Sequence, residues 1–121
     1  MLSIGPSFTP LEQAVFRAIW TEHLSDRAAL EVQLATATVL SRNNTGVGFY
    51  TDFSVERIPT AIVGGERLRH GPAAKIDGLE RGMGFILWLK EGYADCLEGY
   101  TYDESSVEIA LDRVGFTIDT Q

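Results

Sequence analysis

The sequence predicts an α+β domain, with two N-terminal helices packed on a mostly antiparallel β-sheet of about five to six strands. Three observations predict it. Apolar residues recur at helical spacing between Pro10 and Ala35. From Thr36 onward period-two alternation takes over, most cleanly at Val47, Phe49, Thr51, Phe53 and Val55. Short turn signals, Asn43 to Gly46, Gly64-Gly65 and Glu91-Gly92, divide the alternating runs. The 121 residues fit one domain, residues 1–121.

Thr9-Pro10-Leu11-Glu12 opens the first helix. Thr9 is the N-cap, Pro10 fits the first helical position, and Glu12 is spaced for a capping box. Leu11, Val15, Ala18 and Ile19 form its apolar stripe, with Phe16 and Trp20 beside it, and the helix is expected to run to about Leu24. Ser25 can cap a second helix, with Asp26 favourable at its N-terminal dipole. Ala28, Leu30, Val32, Leu34 and Ala35 make that helix apolar. Thr36–Arg42 pairs with the clean strand after the Asn43-Asn44 turn. Pro59 demotes Ile58 to an edge or loop, Ala61–Val63 reads as a short strand, and Ala73–Asp77 as another. Gly78–Gly84 is a glycine-rich turn.

Phe85–Lys90 and Tyr93–Tyr102 form a hairpin on the Glu91-Gly92 loop. A regular register puts Lys90 opposite Tyr93, Trp88 opposite Asp95 and Ile86 opposite Leu97. Phe85, Leu87, Leu89, Ala94, Cys96, Glu98 and Tyr100 then share the core face. Val107, Ile109 and Leu111 read as a terminal strand that Phe116 and Ile118 extend.

The net charge is −7, and all of it lies in the last quarter. Residues 1–90 hold nine acids and nine Lys or Arg, whereas residues 91–121 hold eight acids and only Arg113. Direct nucleic-acid binding is disfavoured, because phosphate contacts need Lys and Arg. A basic partner would be attracted, and a solvated acidic surface explains the same residues. Cys96 is the one cysteine, which fits a reducing compartment. The start, MLSIGPSFTP, lacks the features of a signal peptide, and no apolar run approaches a membrane span. A cytoplasmic protein that does not enter a membrane is expected.

Glu98, on the apolar face of that register, must be paired, protonated or near solvent. It reads as a general acid, base or ligand anchor, as the partner of a core arginine such as Arg42, or as a group simply exposed at the strand end. His23, at a helix end, and His70, in a loop, stand apart without metal-ligand spacing, so no metal site is expected. Cys96 reads as a small core residue rather than a nucleophile. The glycines of "TGVGFY" and "VGGERLRHG" match neither a P-loop nor GxGxxG, and Arg67, Arg69 and His70 form a small basic patch. Trp88, Tyr50, Tyr93, Tyr100 and Tyr102 lie on or near the acidic hairpin, where such residues suit a protein interface or ordinary cross-strand packing.

Two segments carry a resemblance. Arg42 to Thr51 follows R-x-x-T-G-x-G-F-[YF]-T, and Leu97 to Tyr102 follows L-E-G-Y-[TS]-Y. Over roughly residues 10–112 the chain resembles a group of small uncharacterised bacterial proteins that carry both. The resemblance implies a single α+β domain and no particular activity. Many of the group have Trp-Pro after the acidic turn, where this chain has Ser105-Ser106.

The first functional expectation is a non-enzymatic protein-binding module, concretely an immunity-type protein that neutralises a basic toxin or effector. Tyr93, Asp95, Tyr100, Tyr102, Asp103 and Glu104 would form its partner surface, and no cofactor is called for. The second is a small-ligand-binding domain or enzyme, with Arg42, Tyr50 and Glu98 lining a pocket between helices and sheet. The third is a homodimer subunit joined through an exposed edge strand, with the last strand as the candidate.

Overall fold

A computed structural model describes residues 4–57 and 61–119. Helix α1 (Pro10–Glu22), a 3-10 turn (Leu24–Asp26) and helix α2 (Arg27–Ala35) precede the strands. These are β1 (Thr38–Asn44), β2 (Gly48–Ser54), β3 (Leu68–Ile76), β4 (Met83–Lys90), β5 (Tyr93–Thr101) and β6 (Phe116–Ile118). They form one six-stranded sheet in the order β1-β2-β5-β4-β3-β6, antiparallel throughout. Both helices pack on one face of it, the expected α+β arrangement.

The start of α1 is built as its sequence implies. Thr9 Oγ1 accepts from the Glu12 N–H at 3.1 Å, and Glu12 Oε1 accepts from the Thr9 N–H at 2.8 Å. Leu11, Val15, Phe16, Ile19 and Trp20 are buried. Phe8, Phe16 and Phe53 meet edge to face at centroid distances of 4.8, 5.2 and 5.8 Å, which locks α1 to β2.

The second helix differs from its expected start. Ser25 lies inside the 3-10 turn, and α2 has no side-chain cap. The Asp26 carboxylate instead meets Arg69 Nε at 2.5 Å, with each side chain about 11% exposed. Arg69 is therefore half of a largely buried ion pair and no part of a basic patch. Gln33, hidden in the apolar pattern of α2, is fully buried. Its Nε2 donates to the Gly92 carbonyl at 3.1 Å and its Oε1 accepts from the Ala94 N–H at 2.8 Å, clamping the β4–β5 hairpin to the helix.

The β4–β5 register departs from the regular pairing. Lys90 faces Tyr93 and Leu89 faces Ala94, but Trp88 then faces Cys96, Leu87 faces Leu97 and Ile86 faces Glu98. Asp95 is thus the extra residue of a β-bulge, and it inverts every side chain after it. Leu97 goes into the core with no exposed surface, while Cys96, Glu98 and Tyr100 pass to the helix-free face. A further bulge at Leu40, in edge strand β1, leaves that side chain exposed and interrupts the edge.

Four other expectations change. Residues 61–63 form no strand; Ile62 N–H donates to the Gly92 carbonyl at 2.8 Å, and Val63 is exposed. Ile58 and Pro59 lie outside the described residues. His70 belongs to β3, not to a loop, and Val47 is exposed at the β1–β2 turn rather than directed into the core. Residues 107–111 form turns and irregular chain, not a strand, and the last strand, β6, pairs with β3 at the far edge.

Ser106 explains the path of that segment. It is fully buried, its Oγ accepts from the Gly48 N–H at 2.9 Å and donates to Asn44 Oδ1 at 2.9 Å, and its N–H donates to the Gly46 carbonyl at 2.8 Å. Gly48 is required there: its φ is +134°, and a Cβ would overlap the Gly99 carbonyl.

The bulge makes a direct prediction. Leu97→Ala should lower unfolding free energy by about 2–5 kcal/mol in urea titration, and Asp95→Ala should stay within about 0.5 kcal/mol of the parent. A small loss at Leu97 would restore the unbulged register.

Candidate functional site

Antiparallel partners point to the same side, so the register assigns each face. The six phenylalanines all lie on the helix side: Phe8 and Phe16 there, and Phe49, Phe53, Phe85 and Phe116 on the inward side of their strands. The four tyrosines and Trp88 lie on the opposite face or at its border. Ring hydroxyls sort the tyrosines from the phenylalanines, because a phenol needs water or a polar partner; Trp20, buried in α1, shows that the indole does not follow the same division.

The centre of this open face is Ile86, Trp88, Cys96, Glu98 and Tyr50. Trp88 Nε1 donates to Glu98 Oε1 at 3.0 Å across the diagonal of the β4–β5 pair. Tyr50 stands opposite Glu98, and that carboxylate raises the phenol pKa. Burial, then a hydrogen bond with Asp52, pushes the Cys96 thiol up to about 12. Tyr100 lies over Gly84, where a Cβ would strike its ring, and its own ring meets Tyr102 edge-on at 5.6 Å. Burial first, then its hydrogen bond to Tyr102, raises its pKa. The carboxylates of this face are Asp52, Asp95 and Glu98; Lys90 and Lys75 lie toward its borders.

The expected partner residues separate into two groups. Tyr93 and Asp95 sit at the hairpin end of β5, with Arg57 stacked 4.6 Å over the Tyr93 ring. Tyr102, Asp103 and Glu104 sit beyond its other end, about 26 Å away at ~3.3 Å per residue. They do not make one acidic tip. Glu104 is structural: its oxygens accept from the Glu80 and Arg81 N–H groups at 2.8 and 2.6 Å, closing the β3–β4 turn. The expected pocket trio also divides. Tyr50 and Glu98 share the open face, whereas Arg42, opposite Thr51, points to the helix side.

Arg42 there meets the buried Glu12 rather than Glu98. Its Nη2 donates to Glu12 Oε1 at 2.7 Å and its Nε to Oε2 at 3.2 Å, while Thr51 Oγ1 also donates to Oε2. The hydrogen bond to Glu12 is the main reason the Arg42 pKa is raised. The cluster borders a pocket of about 230 Å³ between the start of α1, the β1–β2 pair and residues 109–112. Sequence patterning missed Glu12 as a core group, since its capping role already accounted for it.

No protein-family model, no curated protein and no solved structure matches the chain. Among the described residues, no helix is long and apolar enough to cross a membrane, and no group of three or more His, Cys, Asp or Glu is arranged to hold a metal ion. His23 Nε2 lies 3.0 Å from the His70 carbonyl oxygen, which ties the end of α1 to β3.

Three outcomes test this geometry. A thiol raised from 9.0 to about 12 is on the order of a thousandfold poorer in thiolate at pH 8. Native Cys96 should therefore be alkylated by iodoacetamide at least about a hundredfold more slowly than in urea. Because the folded state keeps the proton, stability should fall as pH rises from 9 toward 12, and Cys96→Ser should flatten that fall. Arg42→Ala strands the Glu12 charge and should cost about 2–3 kcal/mol, read by thermal and urea unfolding.

Proposed function

We propose that this chain is a non-enzymatic protein-binding module that engages its partner through the helix-free face of the sheet. The observation that carries the reading is the collection of every tyrosine and Trp88 on or beside that face, around the carboxylates Asp52, Asp95 and Glu98. Tyrosine and tryptophan are enriched among the few residues that carry most of the energy of protein interfaces. Tyr50 and Tyr102 are each 40% exposed. Six strands about 4.8 Å apart and roughly seven residues long span roughly 600–700 Å². With adjoining loops that approaches the ~800 Å² per partner of a standard interface.

The acid on this face and in the last quarter of the chain suits a basic partner and would steer its approach. In its most concrete form the reading is an immunity-type protein that occupies the basic cleft of a toxin effector in the cytoplasm. The free Cys96 accords with such a reducing setting.

The test is affinity capture from the source cell at low and moderate salt, with the parent chain and two surface variants. Tyr50→Ala and the double change Asp52→Lys with Asp95→Lys alter exposed positions. One stoichiometric partner is expected, released as salt rises and bound at least about tenfold more weakly by each variant. Binding that ignores both variants would reject this face as the interface. Charge reversal at Glu104 is a poor probe, since it would also open the β3–β4 turn.

A further inference from the structure

We propose that the pocket between the start of α1, the β1–β2 pair and residues 109–112 binds a free α-amino acid with an apolar side chain. The site is independent of the open face and lies on the other side of the sheet. Its space of about 230 Å³ is walled by Leu11, Phe49, Ile109 and Leu111, and Arg42 and Asp112 also line it. A single water needs only about 10–15 Å³ of such space, so the pocket takes a ligand of several heavy atoms.

The donors and charges select the ligand. Arg42 Nε and Nη2 are committed to Glu12 and to the Ser7 carbonyl. Its Nη1 makes no hydrogen bond among the described residues, and the side chain is 38% exposed. That leaves a guanidinium edge for a ligand oxygen. Glu12 is buried and already holds the hydrogen bonds of Thr9, Arg42 and Thr51, so it has no role as a ligand contact. Asp112 forms no ion pair with Arg42; its pairing is a surface contact to Arg113 Nε at 3.5 Å. The field of Asp112 nonetheless reaches the guanidinium and helps raise its pKa.

A simple carboxylate would meet Arg42, whose charge Glu12 already offsets, and be repelled by Asp112. A simple cation would suffer the reverse. An apolar ligand would strip water from Nη1 and return no hydrogen bond. A carboxylate and an ammonium on one carbon, with an apolar side chain, answers all three features. The carboxylate lies on Arg42 Nη1, the ammonium faces Asp112, and the side chain covers Leu11 and Phe49. The wall carrying Ile109 and Asp112 is held by the Asn44–Ser106 hydrogen bonds, so it stands formed before the ligand arrives.

The experiment is isothermal titration of the full chain with L-leucine and L-phenylalanine, alongside L-leucinamide, which lacks the carboxylate, and 4-methylpentanoate, which lacks the ammonium. One-to-one binding of leucine or phenylalanine is expected, with both truncated compounds at least about tenfold weaker. Asp112→Asn should weaken leucine about tenfold while leaving 4-methylpentanoate unchanged or tighter, a split that general loss of structure would not produce. Arg42 is not the test residue, because it also supports Glu12. No heat from either amino acid at millimolar concentration overturns the proposal. So does equal binding of leucine, its amide and the acid, or an Asp112→Asn variant that binds leucine like the parent.

Discussion

The carboxylate of Glu12 joins three parts of this fold. One oxygen accepts from the Thr9 N–H and from Arg42 Nη2; the other accepts from Arg42 Nε and Thr51 Oγ1. The first turn of α1, edge strand β1 and inner strand β2 are therefore tied at one buried charge. A buried carboxylate is tolerable only when paired and hydrogen-bonded, and these contacts satisfy it. The same requirement commits Arg42 Nε and Nη2 and leaves Nη1 without a hydrogen bond among the described residues, on a side chain that lines the adjoining pocket. Helix capping, sheet register and pocket chemistry share this group.

A second constraint acts on the opposite face. One additional residue in β5, Asp95, changes which side chains are inside. Before it Ala94 is in the core; after it Leu97 and Gly99 take that side. Gly99 is needed because Phe49 and Met83 occupy the space a Cβ would fill. The bulge consequently puts Cys96, Glu98 and Tyr100 beside Tyr50 and Trp88. It converts what would be a strand with buried acid into a core strand with an aromatic, acidic outer side. Bulges commonly re-aim side chains in this way.

Much of the architecture was legible in local patterns. The Thr9 to Glu12 capping box, the stripe of α1, the alternation at Phe49, Thr51 and Phe53, and the positive-φ Glu91-Gly92 turn are short-range signals, and each appears where its chemistry requires. The candidate sites were legible only in part. Arg42, Tyr50 and Glu98 were recognisable as functional residue types, but assigning them to one pocket required a face for each. A single bulged residue reverses that assignment. Gln33 and Ser106 gave no signal, because a polar residue in an apolar stretch or after an acidic turn reads as surface. Their partners, Gly92 and Ala94 for one and Asn44 and Gly48 for the other, are distant in sequence.

By itself, then, the sequence determined the two helices, the strands β1, β2, β4 and β5 and the antiparallel class, since capping, periodicity and turn chemistry act between near neighbours. It also determined the acidity of the last quarter. Tertiary structure alone decided that residues 107–111 form no strand, that residues 109–112 wall a pocket, and that β6 closes the far edge beside β3. It alone decided which aromatics remain at the surface. These outcomes depend on contacts across tens of residues, where one inserted residue or one buried hydroxyl changes the side a whole segment presents.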